Sequence, residues 1–349
     1  RRGRLMANTT VPAELINTAT PLGRRNILIN GDFGIYQRAQ QVTGLGAASE
    51  YYTADRWRIE GASGISGRFT MTAGTEAAPP ESNVTTSLKL DCTTADTSLA
   101  AGEYLILQQL VEGQNLQHVK KGTSGAKQLT VSFWVKSETG TFTYIAELYD
   151  ADNTRQVSKS FSVTSSWSKV EITFPADTTG AFGNDANVSL YCQIWLAAGS
   201  NFTSGTLSET WTSSTNANRA VGVSNFYSST SNELYITAFQ LEVGEVATEF
   251  EYLTKQESSM LCYRYYYKMT NQHDPMYGMN YNGNTADKGF VTYSLPVPMN
   301  HTPTTTQTVG GGTHQANYHT LERLAFYINL SNGDAGSGYV DYFTAEAEI

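Results

Sequence analysis

The strongest constraint on the fold of this chain is a side-chain period of two that keeps returning in short runs. In LTVSFWVKS, Leu129, Val131, Phe133 and Val135 fall on one face and Thr130, Ser132, Trp134 and Lys136 on the other. VSLYCQIWLAAG repeats the pattern, with Val188, Leu190, Cys192, Ile194 and Leu196 opposite Ser189, Tyr191, Gln193 and Trp195. Each such run reads as a half-buried strand. SLKLDC, EYLILQQL, FTYIAELYD, SFSV, KVEITFP and ELYITAFQLEV are further strand candidates, separated by Gly, Asn, Asp, Ser and Pro clusters. No helical period precedes residue 255. Many short strands with turn signals between them predict an antiparallel β-sandwich.

A chain of 349 residues has length for about two domains, or for one large β domain with an appendage. Only 16% of the residues are charged, so Ser, Thr, Asn and Gln must build the polar surface, as suits a β-protein. A net charge of −9 without any clustered basic face argues against a nucleic-acid partner, which needs Lys and Arg for phosphate. No apolar run reaches the length of a membrane span, so no membrane insertion is expected. Cys92, Cys192 and Cys262 lack the spacing of a disulfide framework or a zinc site and read as buried free thiols, which fits folding in a reducing cytoplasm. Residues 1–25 start with Arg, contain no apolar signal-peptide core and show no core period, so they read as an extended arm or the tail of an upstream region.

The texture changes near residue 255. KQESSMLCYRYYYK reads as one or two helical turns, with Glu257 near the start, before YRYYYK resumes as a strand. GFVTYSLPVPM, RLAFYINL and GYVDYFTAEAEI complete a second, smaller β domain over residues 255–349, and the Gly-rich TTTQTVGGGTHQANYHT reads as a loop carrying His314 and His319.

Catalytic motifs are absent. There is no nucleophile elbow, no H-E-x-x-H, no phosphate loop and no dinucleotide fingerprint, so neither an enzyme nor a cofactor is expected. The two nearby histidines read as loop residues rather than metal ligands. A carboxylate pair for glycoside hydrolysis is set by tertiary geometry and leaves no sequence trace. Tyr191 and Trp195 lie on the polar side of a strand whose other side is already apolar. Trp134 does the same on a second strand, and Tyr149 is placed to join them from a third. Flat rings interleaved with amides such as Gln193 suit sugars, whose C–H faces stack on aromatics while amides take their hydroxyls. Trp134, Tyr149, Tyr191, Gln193 and Trp195 are therefore candidate glycan contacts. The competing possibility is that they pack beneath long loops or against a neighbouring subunit.

NILINGDFGIYQRA at 26–39, followed by YYTADRW at 51–57, resembles the start of a jelly-roll domain met in tailed-phage fibre and tail-associated proteins, a domain similar to jelly-roll carbohydrate-binding modules. AFQLEVGEVATEFEYL at 238–253, the ESSMLCYRYYYK that follows, GFVTYSLPVPM and the ending YFTAEAEI resemble the closing strand and terminal β domain of such proteins. In physical terms Asn30, Gly31 and Asp32 are turn residues, and Asp55, Arg56 and Trp57 set a charge pair and a large ring where an Arg–carboxylate fork pins a loop. The resemblance transfers no ligand-binding position. It implies an all-β, antiparallel jelly-roll sandwich at 26–254, an attachment arm at 1–25 and a C-terminal β domain at 255–349. It further implies a virion fibre or appendage protein, made in the host cytoplasm, that assembles as a homotrimer. Such a protein contacts other virion structural proteins through the arm and binds host-surface glycans. The alternatives are the binding half of a glycan-degrading enzyme and a capsid-attached rather than tail-attached fibre.

Overall fold

The computed structural model describes residues 24–75, 77–277, 288–310, 313–329 and 337–349; the arm read at 1–25 falls outside the described residues except for Arg24 and Arg25. The chain is all-β, and its strands pair antiparallel throughout. One sheet has six strands in the order β1 (Gln41–Leu45), β4 (Arg68–Thr75), β5 (Ser87–Thr94), β13 (Glu233–Val243), β7 (Leu129–Ser137) and β10 (Ser168–Phe174). The facing sheet has seven, in the order β12 (Thr212–Ser213), β9 (Arg155–Val163), β8 (Phe142–Asp150), β11 (Val188–Ala198), β6 (Tyr104–Glu112), β3 (Arg58–Gly61) and β2 (Glu50–Tyr51). The chain crosses repeatedly between the two, so β13 closes the first sheet between β5 and β7, and β11 enters the second between β8 and β6. This is a jelly-roll sandwich.

The alternating apolar positions meet in the middle. Val131, Phe133 and Val135 of β7 and Leu190, Cys192 and Ile194 of β11 belong to one buried cluster. The three cysteines are buried and free, as their isolation in sequence predicts.

The 26–39 stretch, with its turn residues Asn30, Gly31 and Asp32, forms no strand. It lies along β13, where that strand bulges between Thr237 and Gln240 and Ala238 adopts φ 50°. Ile27 N donates to Leu241 O (2.8 Å), and Phe239 N donates to Gly31 O (2.8 Å). A Cβ on Gly31 would stand 2.1 Å from Phe239 O, so only glycine permits this approach. Asn30, in the left-handed region, accepts from Ile35 N and donates to the carbonyls of Ile35 and Asp55. Its own carbonyl receives the Trp57 indole N–H (2.9 Å), and the Trp57 ring packs between Phe33 and Phe239. The motif is a plug bonded to β13 of one sheet and, through Ile29 and Gln109, to β6 of the other; its backbone bonds are spent on side chains and a bulge rather than on a ladder.

Arg56 makes a carboxylate pair, but through one nitrogen and with a partner other than Asp55. Arg56 pairs with Glu348 near the chain's end, donates to Leu110 O (2.7 Å) and stacks over Tyr265 at 3.5 Å. Asp55 and Arg56 lie in a turn, where Arg56 adopts φ 72°, and their side chains take separate partners. Asp55 accepts from the backbone and side-chain amides of Gln37, with Arg38 at 3.9 Å.

Thr254 and Glu257 form a capping box on α2 (Lys255–Tyr263), which carries Cys262 onto Ile29 and Ile35 of the plug. A third sheet follows, in the order β16 (Thr304–Gly310), β19 (Ser337–Glu346), β14 (Tyr266–Tyr277), β15 (Lys288–Ser294), β18 (Arg323–Asn329) and β17 (Thr313–His319). The segment read as a histidine-bearing loop is thus largely β16 and β17. Three charged ties hold this sheet to the sandwich: Arg56–Glu348, Arg38 to Glu346 and Glu348, and a bidentate Arg264–Glu112 pair. Burial opposes ionisation of Glu112, but the bonds from Arg264 and Tyr265 outweigh it and hold the carboxyl down at about 2.

Candidate functional site

On the outward face of the seven-stranded sheet, the register lays side chains in three parallel rows. Antiparallel pairing sets Tyr191 between Tyr149 and Leu110, Gln193 between Glu147 and Gln108, and Trp195 between Ile145 and Ile106. β3 extends the second row with Arg58, opposite Gln108, and the third with Glu60, opposite Ile106. An aromatic row, a polar row and an apolar row thus run side by side across β8, β11, β6 and β3.

The apolar row is roofed. Residues 199–223, including the short α1 (Ser200–Thr203), bring Phe202, Leu207, Ala220 and Val223 over Trp195, leaving its side chain 1% exposed. The ring packs 5.2 Å from Phe202 and 5.9 Å from Tyr104. The same segment delivers Arg219, whose Nε and Nη2 grip Glu147 (both 2.9 Å) and whose Nη2 also reaches Gln193 Oε1 (3.2 Å). Trp195 Nε1 donates to the same Glu147 carboxylate at 2.7 Å. Burial alone would lower the Arg219 pKa, yet the Glu147 carboxylate reverses this and holds it above its ordinary value. The guanidinium lies 4.7 Å from the Tyr149 ring and 4.9 Å from Trp195.

From Gln193 the polar row continues as a chain of bonds. Gln193 Nε2 donates to Gln108 Oε1 (2.7 Å), Gln108 Nε2 donates to Glu60 Oε2 (3.2 Å), and Arg58 Nη2 meets the same oxygen at 3.1 Å. Each amide is therefore fixed in orientation by its neighbours. Tyr149 and Tyr191, half-buried and edge to face at 5.8 Å, form one wall, and burial raises the Tyr191 phenol above its usual pKa. Together these groups bound a cleft of about 320 Å³.

Of the residues singled out from sequence, Tyr149, Tyr191, Gln193 and Trp195 converge here. Trp195 is a roofed floor residue rather than an open platform. Trp134 does not join them: it points outward from β7 in the other sheet, opposite Lys169 and Thr237, across the roughly 10 Å thickness of a sandwich. Periodicity fixes which residues share a strand face but says nothing about which sheet the strand enters. Sequence reasoning missed Glu60, Gln108, Glu147 and Arg219. The one available signal was Gln108, one of two adjacent glutamines in the largely apolar YLILQQLV run; Arg219 sits in a loop with no local mark.

Among the described residues, no cluster of three or more His, Cys, Asp or Glu is arranged to hold a metal. The His314 side chain lies outside those described, and His319 Nε2 sits 3.0 Å from Thr305 Oγ1. Among the described residues, no helix is long and apolar enough to cross a membrane.

No family model and no curated protein matches the sequence. Solved structures of similar fold include a family 4 carbohydrate-binding module, 11% identical with a TM-score of 0.32 over 62% of this chain and 98% of that one. A family 61 module solved with β-1,4-galactotriose is 15% identical, with a TM-score of 0.30 over 63% of this chain and 100% of that one. The enzymatically active domain of tailspike protein 4 from bacteriophage CBA120 is 11% identical, with a TM-score of 0.31; the match spans 63% of this chain but only 21% of that one.

Proposed function

We propose that this chain is a fibre or fibre-like virion protein of a tailed phage, and that host-surface glycan docks in the outward cleft of the seven-stranded sheet. The observation that supports glycan docking is the cleft itself: a pre-oriented row of amide and charged groups beside a wall of two tyrosines. That combination matches the two-sided chemistry of a sugar ring, with apolar C–H faces and a polar hydroxyl rim. The virion role is supported by the motifs at 26–39, 51–57, 238–253 and 257–268. In this proposal the chain assembles as a homotrimer and attaches to other virion proteins through residues 1–25.

We propose binding rather than hydrolysis. Glycoside hydrolysis uses two carboxyl groups, one of which must hold a transferable proton. Here Glu147 is clamped by Arg219 and Trp195, and Glu60 by Arg58 and Gln108, so each carboxylate is committed to a cation.

The test is a glycan array probed with the purified wild-type chain and with the Tyr149→Ala/Tyr191→Ala double variant. Wild-type chain should retain a defined subset of glycans, and the double variant should lose them at least tenfold with an unchanged unfolding transition, on the roughly 1–3 kcal/mol scale of aromatic contacts. Equal retention by both proteins would overturn the assignment.

A further inference from the structure

The internal charge balance of the cleft bears on which sugars it takes. Two guanidinium groups border it and both are engaged: Arg219 by Glu147 and Gln193, Arg58 by Glu60. The local charge sums to zero, within a chain of net charge −9. The Glu60 carboxylate is only partly buried, at 24% exposed. Both bonds it receives, from Gln108 and Arg58, converge on Oε2, leaving Oε1 without a partner among the described residues.

We propose that the Arg58–Glu60 pair is a charge gate that restricts the cleft to uncharged sugars, with Glu60 as the group that excludes acidic ones; this rests on the cleft being the glycan site. A neutral sugar brings hydroxyl donors, which the free Oε1 accepts. A uronic or sialic acid brings a carboxylate that meets Oε1 as a like charge, and it reaches Arg58 only by displacing a carboxylate already in place. Like charges juxtaposed in a binding site cost far more affinity than a neutral contact gains, and rejection of the wrong ligand works through such repulsion. The negative field of the whole chain acts in the same direction on polyanions.

The experiment titrates the wild-type chain, Glu60→Gln and Arg58→Gln against two sets of soluble polysaccharides. The neutral set comprises mixed-linkage β-glucan, galactan, mannan and xylan. The acidic set comprises polygalacturonate, hyaluronan and polysialic acid. Wild type should bind at least one neutral polymer and should bind every acidic polymer at least about tenfold more weakly. Glu60→Gln frees Arg58 and should raise acidic relative to neutral binding about tenfold, a gain that shrinks with added salt. Arg58→Gln, which leaves Glu60 unpaired, should shift the ratio the other way. Both positions are partly exposed, and their unfolding transitions should match wild type. Acidic polymers bound as tightly as neutral ones by wild type, or a ratio unmoved by Glu60→Gln, would overturn the gate while leaving the cleft as the site. Failure of wild type to bind either set would remove the cleft assignment and the gate with it.

Discussion

Replacing Trp195 separates a floor residue from a ligand platform. Its ring is roofed by residues 199–223 and packed against Ile106, Ile145 and Phe202, and its indole N–H holds one oxygen of the buried Glu147 carboxylate. A buried Trp removes roughly 200 Å² from water, which at about 25 cal/mol/Å² is about 5 kcal/mol as an upper bound. Measured Trp→Ala losses in cores run about 3–5 kcal/mol, and the Glu147 carboxylate, still held by Arg219, loses one of its donors. Trp195→Ala should therefore destabilise by about 4 kcal/mol. Trp195→Phe keeps most of the packing but loses the hydrogen bond, and should cost about 1–2 kcal/mol. The assay is denaturant unfolding followed by far-UV circular dichroism, with both variants compared at one temperature and pH. A loss below about 1 kcal/mol for Trp195→Ala, accompanied by loss of glycan binding, would mean that the ring is presented to ligand rather than covered, and the roof described here would be wrong.

Two further outcomes follow from the plug and its ties. Burial, only partly offset by the Gln37 bonds and Arg38, pushes the Asp55 carboxyl up to about 6, so the folded chain holds that proton more tightly than the unfolded one. Its contribution to stability is present at low pH and falls by up to about 3 kcal/mol as pH rises from about 4 to about 6; Asp55→Asn should flatten that segment of the pH–stability curve, and an unchanged slope in denaturation midpoints would refute the shift. Arg56→Met takes one cation from Glu348, leaving it Arg38, and should cost up to about 3–5 kcal/mol by denaturant unfolding, with Glu348→Gln added to it restoring part of the loss; a neutral Arg56→Met would show that this tie contributes nothing to holding the third sheet.

What the sequence revealed and what it hid divide along physical lines. The strands at 129–137, 142–150 and 188–198 were legible because each carries one apolar face over many residues, so alternation survives, and 233–243 keeps it on either side of its bulge. β1 and β4 were not singled out: β1 is five residues long, and the ladder between them is bulged, which breaks the period. β16 and β17 read as a loop because Gly310, Gly311 and Gly312 dominate the local composition. The plug at 26–39 was legible as a motif but not as a shape, since its bonds go to side chains and to a bulge in β13, two hundred residues away. The aromatic wall and Gln193 were legible because they lie on one strand or its direct neighbour. Glu147 and Gln108 pair with Gln193 only across the sheet, and Arg219 arrives on a loop, so their convergence exists only in the folded chain.

The central claim is that sugar binds the outward face of the seven-stranded sheet and not the opposite face of the sandwich. Isothermal titration of a bound glycan into Tyr191→Ala and Trp134→Ala tests it most directly, because the two rings lie on the outward faces of different sheets. Tyr191→Ala should weaken binding by about 1–3 kcal/mol, while Trp134→Ala should bind as wild type does. Undiminished binding by Tyr191→Ala, with the loss appearing in Trp134→Ala, would place the site on the six-stranded sheet and contradict the assignment.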